Sequence, residues 1–464
     1  MDYNYIFTRQ HPDYLKNLSG WERCLAAYSG GSDYINQALI QHVSEIDLEF
    51  QERLNRAYYF NYPRKIARLI TQYLLATPPV RLNAEPEMLE DFSRSGLHVN
   101  DVMRQFSTTL NIYGSAWMLV EMPHFEGSVD YERQRNENLR PYAVVLPPAS
   151  VTDWANDENG DLAWVIVAED FYNNLDPFAE PVTLKRRRLW TKNNWKLFES
   201  DSAEVKLIAE GEHPLNAVPL IHVREQDGCG INAHHWFEDA VRISDAILNN
   251  ESEAQMNIIK QMFGLLVISE NFARGSRPVT GKSSSQESKF SHILARSAAI
   301  WESSDESGIS RYIAPNGAET SCILAENQHL KDELFDVVGL PAIKSSRSNQ
   351  SAESKAWDHQ QINKFLLNGV DTLEQTETAV WQFMHRYDPS LTVPHISYNR
   401  DFSALDWSEM LSGLLQLNTI NAGKEFRKEI ARTALTILDR YQKIPPERRD
   451  GILDEIEMLE SGVI

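Results

Sequence analysis

The residues that most resemble a chemical site lie in the stretch NFARGSRPVTGKSSS, which follows the apolar run GLLVIS. A strand followed by glycines and Gly-Lys-Ser is typical of a nucleotide-binding phosphate loop. That loop requires four residues between its first glycine and Gly-Lys-Ser, because consecutive backbone N–H groups must surround one phosphate. Here five residues separate Gly275 from Gly281, and Pro278 removes one N–H donor. The spacing favours a polar loop, and nucleotide hydrolysis stays as the alternative.

Other motifs that carry chemistry are weaker. The alternating polar residues Asp157, Asn159 and Asp161 suggest a calcium loop, but Ala155 and Ile166 occupy two of the ligand positions that such a loop requires. Asn-Gly at 159–160 is the preferred pair for a tight hairpin turn, and we expect a hairpin there. The adjacent histidines 234 and 235 would point to different faces of a helix, which makes a poor metal pair. We therefore expect no catalytic residues, no metal and no cofactor.

Composition restricts the class of protein. The 464 residues include 45 basic and 66 acidic side chains, a net charge of −21, which disfavours tight general binding to DNA phosphates. The three cysteines, Cys24, Cys229 and Cys322, are widely spaced and odd in number, which favours a reducing compartment. We expect no signal peptide, because the first residues, MDYNYIFTRQHPD, lack a charged segment followed by an apolar one, and no apolar run has the roughly 18 residues that span a bilayer. We expect a soluble protein that is intracellular at synthesis.

Hydrophobic periodicity predicts an α+β fold that is mainly helical. Helices are expected over Glu49–Leu75, with a turn or kink at Pro63, and over Val99–Glu121, 232–262, Glu319–Val338, Ala352–Tyr387, Trp407–Leu417 and Lys424–Arg440. Antiparallel strands are expected between Pro141 and Glu225, and short ones in SAAIWES, GISRYIA and TVPHISYNRDF. Val337 is expected on the buried face of its helix, Gly369 to mark a kink, and the polar end of the chain to be partly mobile.

The order of these elements resembles the portal protein of tailed bacteriophages. WERCLAAYSGGSDYI and RAYYFNYPRKIARLITQYLLATPPVRL resemble the start of such chains, and VTDWANDENGDLAWVIVAE, RRLWTKNNWKLFE and HPLNAVPLIHV are similar to their wing region. These segments are followed by a thirty-residue helix, an irregular excursion, a returning helix, a loop broken by glycine, and one long helix. DFSALDWSEMLSGLLQL resembles the turn into the crown helices. The resemblance covers nearly the whole chain as an order of elements.

The resemblance implies a division of the chain into portal regions. These are a wing of helices and antiparallel strands (1–231), a stem helix (232–264), a clip (265–315), a second stem helix (316–338), a tunnel loop (339–351), a long wing helix with a strand (352–400), and crown and C-terminal helices (401–464). It also implies a ring, usually of twelve subunits, without enzymatic activity of its own. The ring would sit at one capsid vertex and form the channel for genome packaging and ejection.

Two groups of site residues follow from the resemblance. The tunnel loop would face DNA through Lys344, Ser345, Ser346, Arg347 and Asn349, although Lys344 and Arg347 are open to the alternative that they are ordinary solvated charges. A basic cluster in the clip would dock partner proteins through Arg274, Arg277, Lys282, Lys289 and Arg296.

The implied partners are other copies of the chain, the large terminase subunit, the head–tail adaptor, the major capsid protein and a scaffold protein. Double-stranded DNA would pass without sequence specificity, and no membrane is involved. The protein would belong to the virion and be assembled in the host cytoplasm. Two alternatives are a packaging enzyme that uses Gly275–Ser283 to hydrolyse nucleotides, and a shorter phage component such as an adaptor, which the chain length disfavours.

Overall fold

The computed structural model describes fifteen parts of the chain. They are residues 3–123, 138–173, 177–178, 180–201, 204–225, 235–262, 265–269, 299–302, 311–313, 317–338, 352–400, 402, 423–441, 444 and 446–458. Within them the fold is α+β and mainly helical, which confirms the predicted class. Sequence periodicity found the class because most of these helices bury one face of regularly spaced apolar side chains.

Seven helices occupy the first part of the chain. They are α1 Tyr5–Thr8, α2 Pro12–Ser29, α3 Ser32–Ala38, α4 Asp47–Arg56, α5 Tyr62–Leu74, α6 Pro86–Glu90 and α7 Val99–Tyr113. The interruption expected at Pro63 lies earlier, at 57–61. Pro63 instead occupies the first turn of α5, where the missing N–H costs nothing, and the Asn61 side chain caps that turn by accepting from the Arg64 N–H at 2.9 Å.

The helix predicted over Val99–Glu121 is wrong in its last eight residues. Gly114 ends α7 in the left-handed conformation at φ 64°, and its N–H donates to the Leu110 carbonyl at 2.8 Å. The next residues, Ser115–Glu121, form strand β2, which is buried on both faces. A continuous apolar run such as SAWMLV has no clear two-residue alternation, so periodicity alone cannot distinguish a buried strand from a helix there. Trp117 lies on this strand and is buried.

The strands within the described residues form four sheets. Their bounds are β1 Val80–Leu82, β2 Ser115–Glu121, β3 Tyr142–Leu146, β4 Val151–Asn156, β5 Leu162–Ala168, β6 Phe171–Asn173, β7 Val182–Thr191, β8 Asn194–Asp201, β9 Glu204–Glu212, β10 Leu220–Arg224, β11 Leu265–Ser269, β12 Ala299–Glu302, β13 Arg311–Ile313 and β14 His395–Ser397. The largest has the order β4-β5-β7-β8-β9, with β6 on β7, and all its pairs are antiparallel. The others have the orders β10-β2-β3, β12-β11-β13 and β1-β14.

The hairpin predicted at Asn159-Gly160 is confirmed, since β4 pairs with β5 and Gly160 has φ 88°. The Asp157 carboxylate, the first residue of the turn, accepts from the N–H groups of Asn159 and Asp161 at 2.9 and 3.0 Å. Lys192 lies 2.6 Å from its other oxygen. Asp157 therefore holds the turn together, and its oxygens are already engaged by protein donors.

Five further helices complete the described part of the chain. They are α8 Trp236–Met262, α9 Gly317–Val337, α10 Ala352–Tyr387, α11 Lys424–Tyr441 and α12 Pro446–Glu457. The end of the chain, expected to be polar and partly mobile, contains α12, which Lys428 of α11 holds through Glu457 at 3.5 Å. Val337 is exposed, and its neighbour Val338 is buried instead. The helix predicted over Trp407–Leu417 lies outside the described residues.

One hydrophobic core joins α2, α5, α7, α8, α9 and α10. Its largest fully buried side chains include Phe92, Phe106, Phe237 and Trp381. A second core lies between α2 and the strands, around Trp117, Trp154 and Trp190. The long helices α8, α9 and α10 thus rest on a base of short helices and antiparallel sheets.

Candidate functional site

The helices α8 and α9 form an antiparallel pair. Gln261, at the end of α8, donates from Nε2 to Oγ1 of Thr320 at the start of α9, 3.5 Å away. Further along, Nδ2 of Asn250 donates to Oδ1 of Asn327 at 3.0 Å, and Lys331 lies 3.7 Å from Glu251. The order of these contacts fixes the two helices in opposite directions.

The contact surface between the pair is partly polar. Thr320 and Asn327 are buried on α9, and the apolar Leu334 follows them on the same face. Their hydrogen bonds to α8 are possible in only one alignment of the two helices, so they specify its register, as a buried asparagine does in a coiled coil. These polar contacts therefore fix the alignment of α8 and α9, which apolar contact alone would not specify.

A small sheet continues the chain beyond the paired ends. β11 begins three residues after α8 ends, and β13 ends four residues before α9 begins. β11 pairs in parallel with β12 and antiparallel with β13. Because α8 ends where α9 begins, this sheet lies at that end of the pair.

The other end of α8 is anchored by a charged group. Arg23 of α2 and the Tyr34 hydroxyl of α3 both donate to the carboxylate of Asp245, which is 9% exposed. Burial, followed by the hydrogen bond to Asp245, raises the pKa of Tyr34 far above its ordinary value. The hydroxyl therefore stays protonated as a donor, and α8 is fixed to α2 and α3 at one point.

The long helix α10 is anchored in the same manner near its end. Glu377 is fully buried and accepts from Nε and Nη2 of Arg81 at 2.5 and 3.0 Å. The Tyr398 hydroxyl donates to the same carboxylate at 2.5 Å, and Nη1 of Arg81 donates to Asn100 at 2.8 Å. Such a buried pair is costly to break, because removal of one partner leaves an uncompensated charge. It joins α10 to β1, α7 and the segment that follows β14.

A cleft of about 400 Å³ lies between α2, β10 and the start of α8. His222 of β10 stacks on Trp117 with ring centroids 3.7 Å apart, and its Nε2 lies 3.0 Å from Oγ of Ser115. Burial, with smaller contributions from Arg224 and His11, lowers the pKa of His222 to about 2. Sequence reasoning missed this group because its members come from distant segments and leave no local motif.

The predicted site residues fall outside the described part of the chain. The clip cluster, Arg274, Arg277, Lys282, Lys289 and Arg296, lies between β11 and β12, and the Gly275–Ser283 motif lies there too. The tunnel-loop residues, Lys344, Ser345, Ser346, Arg347 and Asn349, lie between α9 and α10. Their assignments stay predictions, and the structure contributes the elements that border them.

The described residues offer neither a metal site nor a membrane span. No group of three or more His, Cys, Asp or Glu side chains in that part of the chain is placed to hold a metal ion. His235, one of the adjacent histidines, is buried, with Nδ1 2.8 Å from Glu225, in a packing role. None of the described helices is both long and apolar enough to cross a bilayer.

Comparison with known families gives a match over residues 18–314, which is more than half of the chain. The matching family is described as "Phage portal protein, SPP1 Gp6-like". The chain belongs to this phage portal family. The match runs from α2 to the end of the small sheet, so it includes α8 and the antiparallel strands. It confirms the resemblance drawn from the sequence and the prediction of a portal protein. No curated protein matches the chain.

Solved structures that are similar to this chain include the following three. They are the neck of a native GTA particle computed with C12 symmetry (11% identity, 80% of this chain and 90% of that chain, TM-score 0.43), the neck of an empty GTA particle computed with C6 symmetry (12%, 79% and 88%, 0.44), and the virion of a native gene transfer agent particle (12%, 88% and 98%, 0.43).

Proposed function

We propose that this portal protein assembles into a ring, usually of twelve subunits in this family, at one vertex of the capsid. The ring forms the channel through which double-stranded DNA is packaged and later ejected. The family match over residues 18–314 carries this proposal. The protein takes its place in the virion after assembly in the host cytoplasm.

The described elements fit the portal regions in order. α2–α7 and the antiparallel sheets correspond to the wing, and the antiparallel helices α8 and α9 to the stem. The small sheet at the end of the stem corresponds to the clip. The segment between α9 and α10 is then the tunnel loop, α10 the long wing helix, and α11 and α12 the crown and C-terminal helices.

The net negative charge of the protein is compatible with a channel through which DNA slides. A ring of twelve chains, each at −21, carries about −250, and such a field discourages adhesion of phosphates. Against it, Lys344 and Arg347 of the tunnel loop would make brief phosphate contacts. A wall that repels DNA over most of its surface and touches it weakly at a few points allows movement in both directions.

The basic cluster of the clip would dock the packaging motor and the head–tail adaptor. The segment between Asn271 and Ser297 contains five basic residues and one acidic residue, Glu287, in a protein that is acidic overall. That contrast favours acidic elements of the terminase large subunit and of the adaptor. The capsid shell and a scaffold protein would contact the ring elsewhere.

A test separates this function from nucleotide hydrolysis by Gly281-Lys282-Ser283. The purified protein should hydrolyse no ATP above the background of the buffer, and Lys282→Ala should change nothing, because the spacing of the motif cannot surround a phosphate. Release of inorganic phosphate is the measurement. Hydrolysis by the wild-type protein that disappears in Lys282→Ala would contradict the portal function and favour the enzyme.

A further inference from the structure

The exposed side of α5 carries basic residues in a part of the chain that lacks carboxylates. The segment 53–84 contains six basic residues and no Asp or Glu, whereas the whole chain contains 66 acidic and 45 basic residues. Three of these cations, Arg64, Lys65 and Arg68, lie close together on α5. The segment therefore has a positive net charge within a protein that is strongly acidic.

The helix period places these cations on one side of α5. Successive residues of an α-helix are separated by about 100°, so Arg64, Lys65, Arg68 and Gln72 fall within one arc of about 100°. We call these four residues the basic face. Lys65, Arg68 and Gln72 are exposed, and Arg64 is partly buried. The buried residues of α5 are Pro63, Ile66, Ala67, Ile70, Thr71 and Leu74.

The three cations of the basic face have no carboxylate partner among the residues that the structure describes. Arg64 donates from Nε and Nη2 to the carbonyl oxygens of Tyr28 and Ser29, each at 2.6 Å. Arg68 donates from Nε to the Tyr28 hydroxyl at 3.4 Å. Lys65 has neither an ion pair nor a side-chain hydrogen bond to any described residue. Because carbonyl and hydroxyl groups are neutral, the positive charge of the face is not compensated there.

Exposed arginines on nearby helices do contact carboxylates. Arg56 of α4 lies 3.7 Å from Glu52, and Arg104 of α7 lies 2.6 Å from Asp101. Acidic residues outnumber basic ones by 66 to 45, so carboxylates are in ample supply. Composition therefore does not explain three neighbouring cations without such a partner, and an external anion does.

The end of α2 holds the basic face in place. Asn61, which caps α5, donates from Nδ2 to the carbonyl oxygens of Ala27 and Tyr28 at 3.0 and 2.9 Å. The guanidinium carbon of Arg64 lies 5.2 Å from the centroid of the Tyr28 ring. A surface that is already ordered loses little conformational entropy when it binds. Since a guanidinium has five N–H donors, Arg64 and Arg68 keep donors that these contacts do not use.

The chemistry and length of the basic face fit the backbone of DNA. With a rise of 1.5 Å per residue, the face spans about 12 Å from Arg64 to Gln72, over which one strand of DNA presents about three phosphates. Arg, Lys and Gln are side chains that contact phosphate oxygens. A basic stripe along a helix is typical of surfaces that bind nucleic acid. A protein partner presents charges of both signs, and a surface of one sign fits a polyanion better.

We infer that the basic face contacts the phosphates of double-stranded DNA without reading its sequence. The inference rests on the proposed function, since it names a second surface, besides the tunnel loop, through which the portal would touch the DNA that it passes. The acidic remainder of the protein repels phosphates and confines the contact to this face. The contact is therefore weak and sensitive to salt.

The salt dependence of DNA binding tests the inference. Assembled wild-type protein is titrated into a fluorescein-labelled DNA duplex at several concentrations of NaCl, and binding is followed by fluorescence anisotropy. The double variant Lys65→Ala with Arg68→Ala should weaken binding at low salt by about tenfold or more. For each subunit on the duplex, it should also reduce the slope of log K against log salt by about 1.8, because one phosphate contact contributes about 0.9. Arg64 is left unchanged because it holds the end of α2.

Three further variants separate the effect of charge from that of folding. Lys65→Arg with Arg68→Lys keeps the charge of the basic face and should bind DNA as the wild type does. Gln72→Glu adds a carboxylate to the face and should weaken binding with unchanged circular dichroism, because the side chain is exposed. The matched control Lys185→Ala with Lys206→Ala removes two exposed lysines from the six-stranded sheet and should leave the affinity close to that of the wild type.

The possible outcomes distinguish the inference from the proposed function. Normal rings with unchanged DNA affinity and salt slope in Lys65→Ala with Arg68→Ala would overturn the inference and leave the portal function intact. It would also be overturned by an equal effect of the control lysines, or by loss of binding to an acidic phage protein with normal DNA binding. Failure of ring assembly in these variants alone would assign the basic face to a subunit contact instead. Wild-type protein that never forms rings would contradict the proposed function itself.

Discussion

At the scale of single residues, His222 is the group with the clearest measurable consequence. Its ring is enclosed by Trp117, Ser115 and Arg224, so the charged form is excluded and the pKa falls to about 2. An unfolded chain binds this proton near pH 6.5. The stabilisation is therefore complete above pH 6.5 and is lost as the pH falls below that value.

The prediction concerns the variant His222→Gln. Between pH 7 and pH 5 the wild-type subunit should lose about 2 kcal/mol of unfolding free energy through this group, a loss that the variant should not show. The difference in unfolding free energy between the wild-type protein and His222→Gln should therefore become smaller as the pH falls from 7 to 5. Urea denaturation followed by tryptophan fluorescence at several pH values measures it. His42→Gln removes a histidine from an exposed loop as the control, and an equal effect of both variants would contradict the account.

Two buried carboxylates each connect a long helix to other parts of the fold. Asp245 connects α8 to Arg23 and Tyr34, and Glu377 connects α10 to Arg81 and Tyr398. Neither is visible in the sequence, because the partners of Glu377 lie 296 residues before it and 21 residues after it. A charge pattern along one helix cannot report a partner that only the tertiary fold supplies.

At the scale of elements, Gly369 shows how a helix adapts to its neighbour. The sequence suggests a kink at Gly369, which stays a prediction, and α10 runs through this position without a break from Ala352 to Tyr387. A β-carbon at Gly369 would lie 3.1 Å from both Cδ atoms of Leu74 on α5. The glycine is therefore explained by the close packing of α10 on α5, which a larger side chain would obstruct.

This explanation predicts different results from two alanine substitutions. Gly451→Ala in α12, where no atom lies within 4 Å of the added carbon, should slow local hydrogen exchange, because alanine favours a helix by about 1 kcal/mol over glycine. Gly369→Ala should bring no such gain or should accelerate exchange in α10, since overpacking costs about 1–3 kcal/mol. Exchange measured by mass spectrometry on peptides from each helix tests this. Equal protection in both variants would refute the packing explanation.

Hydrophobic periodicity predicted the long helices of the chain, but it did not predict the strand that is buried on both faces or the helix near the end of the chain. α8 and α10 have one apolar face each, and the spacing of apolar residues predicted the existence of α8, α9 and α10, although the buried face of α9 is partly polar. The apolar run that forms β2 is buried on both faces, so its sequence has no two-residue alternation that would distinguish a strand from a helix. The cleft around His222 was missed because it is assembled from distant segments.

At the scale of the whole molecule, the tunnel loop is the segment through which the proposed ring would contact DNA. Lys344→Ala with Arg347→Ala should spare folding and assembly but give capsids that package less DNA or fail to retain it, because the remaining loop has no charge to meet phosphates. The DNA content of purified particles is the measurement. A control double variant, Lys185→Ala with Lys206→Ala, removes two exposed lysines from the six-stranded sheet. Normal packaging and retention in the first variant would exclude DNA contact through these charges.

The central claim is that the chain forms a ring around a channel, and one measurement addresses it directly. Purified wild-type protein is examined by native mass spectrometry and by negative-stain electron microscopy of the same sample. We expect closed rings with a central hole about as wide as a DNA duplex and a mass of twelve 53.2-kDa chains. Compact monomers at all concentrations, above all with ATP turnover, would contradict the account.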